Sequence, residues 1–312
     1  MSEFAVSRTA LVTALMRAAH TRCDPEPLID DPWGDQLVPE SARKAIRRSI
    51  LSHMDAGAQE GAPDSPDSVV DAALLANVAC ADVICRSRYT DDALRAAVAD
   101  GIRQYVLVGA GFDSFAIRRP DFARDVEIFE VDHPATQRLK RRRLEACGIV
   151  LPASVHFIAA DLAREDLGAA LGRSPFDTRE PAFFSWLGVT MYLTREANLS
   201  ALRAIADSGA PGSVLVFTYL DQRLFDSDAG SARFDDLRKR VRSIGEPFVS
   251  GFDPAKLAGD LRQVGLTLVE DLAGPAVLQR YGRTGASGLK GNSAGHIAQA
   301  CVAWPAARQA TT

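Results

Sequence analysis

From residue 105 onward the chain alternates short β-rich runs with segments of helical pattern, and that alternation constrains its fold more than any other feature. The runs are Tyr105-Val-Leu-Val-Gly, Val126-Glu-Ile-Phe-Glu-Val-Asp, Val155-His-Phe-Ile-Ala-Ala-Asp, Ala182-Phe-Phe-Ser-Trp-Leu, Ser213-Val-Leu-Val-Phe-Thr, Leu266-Thr-Leu-Val-Glu and Ile297-Ala-Gln-Ala-Cys-Val. They predict seven strands. The first five are separated by segments able to cross a sheet face, such as 135–147 and 195–208, which is the pattern of a parallel, doubly wound α/β sheet. Only a glycine-rich stretch without a strong helix pattern separates the last two, so they are expected to form a hairpin with an antiparallel final strand.

Residues 5–100 carry apolar positions at helical spacing, as in Ala10-Leu-Val, Ala14-Leu-Met and Ala73-Leu-Leu, with no alternating strand pattern. The expected organisation is a helical extension or cap over 1–100, a core over 101–304 and a tail over 305–312. No internal repeat is found. Two stretches read as loops: 56–68, rich in Gly, Ala, Pro and Asp, and the glycine-rich 273–295. With 312 residues, 47% hydrophobic and 24% charged, the chain has a globular composition, and no run approaches the roughly 18 apolar residues of a membrane span. Five scattered cysteines (Cys23, Cys80, Cys85, Cys147 and Cys301) form no C-x-x-C pair. Neither a disulfide framework nor a zinc site is expected, and the pattern suits a reducing cytoplasm. The amino terminus lacks the basic and then apolar pattern of a secretion signal.

The strongest local signal is Val106-Leu-Val-Gly109-Ala110-Gly111-Phe-Asp113-Ser114, a strand running into a glycine turn. In an open α/β sheet the ligand lies at the carboxyl ends of the strands, where glycines let backbone approach it closely. The second strand ends in Glu130 and Asp132, 19 and 21 residues after Gly111, a spacing that brings an acid to a ribose hydroxyl pair. The two share a face, and spacing does not choose between them. NAD, S-adenosylmethionine (SAM) and a nucleotide all fit a nucleoside site. Asp113 would repel a pyrophosphate at the following helix, and Ser114 replaces the third glycine of the dinucleotide fingerprint; both favour SAM, a sulfonium cofactor without phosphate. Asp161-Leu162 ends the third strand and pairs a polar partner with an apolar wall, as an adenine needs.

Gly109-Ala-Gly-Phe-Asp-Ser, Phe129-Glu-Val-Asp-His-Pro, Ala160-Asp-Leu and Trp186-Leu-Gly-Val-Thr-Met-Tyr-Leu-Thr occur in this order. Together with Ser7-Arg-Thr-Ala, Pro27-Leu-Ile-Asp-Asp-Pro and Arg86-Ser-Arg-Tyr-Thr-Asp-Asp, they resemble the leucine carboxyl methyltransferase-like branch of class I SAM-dependent methyltransferases, over nearly the whole chain. That branch includes actinobacterial O-methyltransferases and polyketide carboxyl O-methyltransferases. The resemblance implies a Rossmann-like, seven-stranded, mostly parallel sheet with an antiparallel last strand. It also implies that Gly109, Ala110 and Gly111 line the methionine part of SAM, Asp132 holds the ribose, Asp161 and Leu162 frame the adenine, and Arg86 pairs with the cofactor carboxylate. Arg8 is placed near the site from the first helix, and Tyr192 near the acceptor. Leu187 stands where many relatives have a glutamate, which suggests a more apolar acceptor pocket.

Methyl transfer from a sulfonium is an in-line displacement that needs no triad and no metal, and no H-E-x-x-H, G-x-S-x-G or P-loop is present. A carboxylate acceptor is already ionised, whereas a phenol benefits from a base; His133 and His296 are the candidates, each more readily read as structural. Tyr192 and His296 are therefore the candidate catalytic residues. Lys140-Arg-Arg-Arg reads as a solvated helix face, and with 36 basic and 40 acidic residues, a net charge of −4, neither nucleic acid nor an anionic membrane is an expected partner. The expected activity is SAM-dependent O-methylation of a carboxyl or hydroxyl on a small, largely apolar metabolite. A SAM-binding protein without turnover and a nicotinamide-dependent oxidoreductase are the rival readings.

Overall fold

The computed structural model describes residues 7–53, 66–225, 232–243, 245–282, 289 and 295–303. Five helices come first: α1 (Arg8–Cys23), α2 (Gly34–Leu37), α3 (Glu40–His53), α4 (Pro66–Leu75) and α5 (Cys80–Ala99). The α/β part follows as β1 (Gln104–Val108), α6 (Phe115–Arg118), β2 (Glu127–Asp132), α7 (Pro134–Ala146), β3 (Val155–Ala159), α8 (Leu167–Leu171), β4 (Ala182–Trp186), α9 (Arg195–Ser208) and β5 (Val214–Leu220). It closes with α10 (Ala232–Ser243), α11 (Pro254–Gln263), β6 (Leu266–Ala273), α12 (Gly274–Arg280) and β7 (Gly295–Val302). The helix starts carry local signals: Ser7 accepts from Ala10 N at α1, Thr194 from Ala197 N at α9, and Asp253 from Ala255 N ahead of Pro254 at α11.

The seven strands form one sheet in the order β3-β2-β1-β4-β5-β7-β6. Strands β1 to β5 pair in parallel, and β7 runs antiparallel to both β5 and β6, as the predicted hairpin requires. Alternation along each strand feeds two buried layers. Tyr105, Leu107, Ile128, Phe183, Val216 and Ile297 share one core with Leu11, Leu15, Ile84 and Leu94 of the amino-terminal helices. Val106, Phe129, Phe184, Phe217 and Ala298 face the other way, toward α8, α9 and α11. The amino-terminal helices thus complete one of the two layers over the sheet. Their apolar sides are buried by the strands themselves.

Two expectations change. The stretch 273–295 was expected to be loop, yet its first part is the helix α12, opened by Pro275 at a position where a missing N–H costs nothing; Val277 and Leu278 are buried there. The stretch 56–68 already enters α4 at Pro66. Residues 54–65, 283–288, 290–294 and 304–312, which include the remainder of both stretches and the tail, lie outside the described residues. Among the described residues no single helix is long and apolar enough to cross a membrane.

Candidate active site

The carboxyl ends of β3, β2 and β1 lie side by side and present the predicted cofactor residues in a row. Gly109 (φ 70°) turns the chain out of β1, where its amide and that of Ala110 donate to Val131 O at 2.8 and 3.2 Å. A side chain at Gly109 would put its Cβ 2.8 Å from Val189 Cγ2, so the backbone surface must stay bare. Gly111 N donates to Asp132 Oδ2 at 2.5 Å and His133 N to Oδ1 at 2.6 Å, which fixes the carboxylate at the end of β2. Burial raises the Asp132 pKa, and those two amides work against the rise. One strand further, Asp161 accepts from Ala163 N at 3.2 Å, and Leu162 keeps 38% of its surface exposed, an apolar side chain left at the rim. Neighbouring strands are about 4.8 Å apart, so the row spans roughly 10 Å, the reach of a nucleoside.

Depth separates the two carboxylates that spacing left equivalent. Glu130 is 1% exposed and pairs with Lys140 Nζ at 2.6 Å, whereas Asp132 stands at the strand end. Burial raises the Glu130 carboxyl and Lys140 opposes it. This pair corrects the reading of Lys140-Arg-Arg-Arg as a solvated face in part, since Arg141 and Arg142 are exposed as expected. Lys140 points inward at 2% exposure, Arg141 lies 5.6 Å over the Phe157 ring, and Arg143 Nη2 donates to Gln36 O at 2.5 Å.

Helix α1 braces the glycine turn through a buried cluster that the sequence did not single out. Arg17 Nε reaches Asp31 Oδ2 at 2.6 Å and its Nη2 donates to Phe112 O at 2.7 Å, while Ser114 Oγ donates to the same Asp31 oxygen at 2.6 Å. Burial alone would raise the Asp31 carboxyl; Arg17 and Ser114 outweigh it and hold it below its ordinary range. The residue that replaces the third fingerprint glycine therefore has a structural partner. Asp113 Oδ1 accepts from Phe115 N at 2.7 Å and stays partly exposed.

Arg86 comes from α5 and lies across Gly188, just after β4. A Cβ at Gly188 would meet its Nη1 at 2.7 Å, so Gly188 (φ 70°) is the residue that admits the guanidinium. Burial, helped by Arg17, lowers the Arg86 pKa to about 10. Among the described residues the Arg86 side chain makes no hydrogen bond or salt bridge, although Tyr192, Asp82 and Asp113 act on it through space. A guanidinium carried into a protein without a partner is suited to an anion that arrives with a ligand. Together with the bare turn at Gly109, the fixed carboxylate at Asp132 and the exposed Leu162, it fits the carboxylate, ribose and adenine of SAM.

Beyond Arg86 a cavity opens under the helical layer. Its walls are Thr9 and Thr13 of α1, Asp82, Val83, Cys85 and Arg86 of α5, and Met191 and Tyr192 after β4. Thr218 and Leu220 of β5, Leu237 and Val241 of α10, Phe248, Val277 of α12, and Gly295 to Ile297 of β7 complete them. Met191, Leu220 and Leu224 form a small core of their own, with Tyr192, Leu237 and Phe248 packed on it. Glu246 ties one wall to another: it accepts from Arg8 N at 2.8 Å and Thr9 N at 3.1 Å, and from Thr9 Oγ1. The Arg8 side chain itself is exposed.

Tyr192 stands 5.6 Å from Phe248 and hydrogen-bonds Thr9; burial raises its pKa, so the phenol stays protonated at neutral pH. His296 belongs to the same wall, but strand alternation turns its imidazole to the opposite sheet face from Ile297. It stacks on Tyr219 with centroids 4.7 Å apart, and its Nδ1 lies 3.1 Å from both Asp271 Oδ1 and the Tyr219 hydroxyl. His133, the other candidate base, caps α7 by accepting from Ala135 N at 3.3 Å.

The sequence profile of the leucine carboxyl methyltransferase family matches residues 10–206. A Bacillus subtilis protein named as an S-adenosyl-L-methionine-dependent methyltransferase, YktD, is 31% identical over 86% of this chain and 88% of its own length. One of the same description from Mycolicibacterium smegmatis is 37% identical over 83% of each chain. A crystal structure from Thermobifida fusca, described as a methyltransferase, superposes with a TM-score of 0.55 over 93% of this chain and 95% of its own at 16% identity, a likeness of fold. The chain is therefore a SAM-dependent methyltransferase and belongs to the leucine carboxyl methyltransferase family.

Proposed function

We propose that the protein methylates an oxygen, of a carboxyl or a hydroxyl group, on a small and largely apolar metabolite. The observation that carries this reading is the cavity itself. Its exposed surface is largely apolar, with Val83, Met191, Leu220, Leu237, Val241, Phe248, Val277 and Ile297 set among polar groups such as Thr9, Thr13, Arg86 and Tyr192, the make-up of a small-molecule site. In the same reading Arg86 binds the cofactor carboxylate, Gly109, Ala110 and Gly111 pass along its methionine part, Asp132 takes the ribose hydroxyls, and Asp161 and Leu162 hold the adenine.

SAM supplies a methyl group already activated on a sulfonium. The protein's part is to hold an acceptor oxygen in line with it and keep water out, and orientation of this kind is worth roughly 7–11 kcal/mol. Met191, Leu237, Val241 and Phe248 exclude water, and the protonated Tyr192 hydroxyl, tied to Thr9, lines the acceptor side of the cavity. His296, set against Asp271 and Tyr219, braces the start of β7 where the cavity wall begins.

Calorimetric titration with S-adenosylhomocysteine, alongside NAD and an Asp132→Ala variant, tests the cofactor half. Micromolar binding that is lost in the variant and absent for NAD is expected; NAD binding in its place would overturn it. Incubation with SAM and a panel of carboxylic and phenolic acceptors tests the transfer half. A product heavier by one CH₂, with methyl on oxygen, is expected, and methylation of nitrogen or carbon alone would overturn it.

A further inference from the structure

The walls of the cavity are not all held in the same way. Helix α1 is fixed by the buried Arg17–Asp31 pair, α5 by Tyr89 Oη donating to Glu270 Oε2 at 2.7 Å, and α12 by the Arg280–Glu270 pair and by Tyr281 Oη donating to Asp92 Oδ2 at 3.1 Å. The wall carried by α10 is attached at a base and at a far edge. At the base the chain leaves the end of β5 and returns to it: Gln222 N donates to Phe252 O at 2.8 Å, Phe252 N to Leu220 O at 3.0 Å and Val249 N to Met191 O at 2.7 Å, and Phe252 is fully buried. From there α10 turns Leu237 and Val241, one helical turn apart, to the cavity and leaves Asp236, Lys239, Arg240 and Arg242 exposed. Among the described residues its side chains hydrogen-bond beyond the helix at one place, Arg238 Nη1 to Leu224 O at 3.4 Å, which belongs to the base. The far edge is Glu246. It takes Arg8 N, Thr9 N and Thr9 Oγ1, groups of the first turn of α1, where amides have no carbonyl partner within the helix.

We propose that α10 and residues 245–248 form a flap over the acceptor cavity, hinged at the end of β5 and latched to α1 by Glu246, and that the acceptor enters and its methylated product leaves when the latch opens. This rests on the reading that the cavity holds the acceptor. The physical basis is the contrast in what each attachment exposes when it breaks. Opening the latch hands a partly exposed carboxylate and two helix-end amides to water, which hydrogen-bonds both. Opening the base would expose Phe252 and leave buried backbone groups without partners. Motion is therefore confined to the segment between them. An acceptor in the cavity gives Leu237 and Val241 an apolar surface to pack on, so it favours the closed position. The row of groups read as the cofactor site lies at the ends of β1 to β3, on the other side of β4 from β5, so SAM and its product exchange without the flap.

The test follows 2-naphthol, a fluorescent apolar body with a hydroxyl, by stopped flow into the full chain saturated with S-adenosylhomocysteine, in wild type and in Glu246→Gln. In wild type the observed association rate should level off as naphthol is raised, because opening of the latch comes first. In the variant the plateau and the dissociation rate should both rise by about fivefold, the upper end expected for a carboxylate at a helix amino terminus, while Kd stays within about twofold. Exchange of S-adenosylhomocysteine should stay within about twofold as well. Naphthol rates that Glu246→Gln leaves unchanged, or a change in dissociation alone, would overturn the flap and leave the cavity as the acceptor site. An equal speeding of S-adenosylhomocysteine exchange would also overturn it, since the segment would then serve the cofactor. Naphthol failing to bind a chain that binds S-adenosylhomocysteine would instead remove the cavity as acceptor site, and the flap with it.

Discussion

The two halves of the site are built in different ways. The half over β1, β2 and β3 consists of strand ends and the turns that follow them, so Gly109, Asp132 and Asp161 owe their places to short segments and to parallel pairing. The half beyond Arg86 is assembled from α1, α5, α10, α12 and the ends of β5 and β7, elements from both ends of the chain. The first half repeats wherever the fold repeats, because backbone geometry dictates it. The second depends on side chains that meet only after folding, so it is where an acceptor preference particular to this chain can be written.

Arg86 stands at the junction, and its removal is the harshest test of that division. Arg86→Met should weaken S-adenosylhomocysteine binding by on the order of 100-fold, since truncating one side of a buried charge pair costs about 2–5 kcal/mol. Titration calorimetry reads this directly, and an unchanged affinity would detach Arg86 from the cofactor.

Next in size is the brace between the helical layer and the glycine turn. Asp31→Asn leaves Arg17 buried beside a neutral partner and should lower stability by roughly 3–5 kcal/mol in denaturant titrations at pH 7. The folded-state pKa of Asp31 lies below its ordinary 3.8, so its contribution is present above that value and fades as pH falls through the folded one. The gap between wild type and variant should therefore close only below about pH 4. A gap that narrows near neutrality would point to another group.

Gly109→Ala combines a positive φ with a Cβ 2.8 Å from Val189 Cγ2. A loss of about tenfold in S-adenosylhomocysteine affinity is expected, the strain alone being worth roughly 1–2 kcal/mol. Adding Val189→Ala should recover only part of it, because the contact is relieved and the backbone strain is not. Full recovery would show that φ was never limiting.

Smallest is the tie at the mouth of the cavity. Glu246→Gln removes a negative charge from the α1 amino terminus, an interaction worth about 0.3–1 kcal/mol, and should lower the melting temperature by a few degrees at most. Its effect on S-adenosylhomocysteine should be below about twofold, as Glu246 touches only the acceptor half; a larger effect would mean the halves are coupled through α1.

Much of the half proposed for the cofactor was legible because its residues obey local rules. A glycine turn follows a strand, an acid falls near 20 residues later, and an acid with an apolar neighbour ends the next strand. Glu130 and Asp132 show where that legibility stops: they share a face and a charge, and only Lys140, brought back across the strand by α7, gives one to the core and the other to the strand end. Leu187 and Ser114 were readable as departures from a pattern, but the contact of Ser114 with Asp31 was not. Arg17, Gly188 and Glu246 have ordinary sequence surroundings, and their roles come from partners far along the chain.

The sequence by itself determined the sheet, its parallel run, its antiparallel ending and the row of groups along the ends of β1 to β3. Period, spacing and turn chemistry act over a few residues and do not wait for the rest of the chain. Tertiary structure alone decided which carboxylate was buried, which face His296 turned to, and which helices closed over β4, β5 and β7. Those outcomes depend on burial and on charges meeting across long loops, and neither is encoded at any single position.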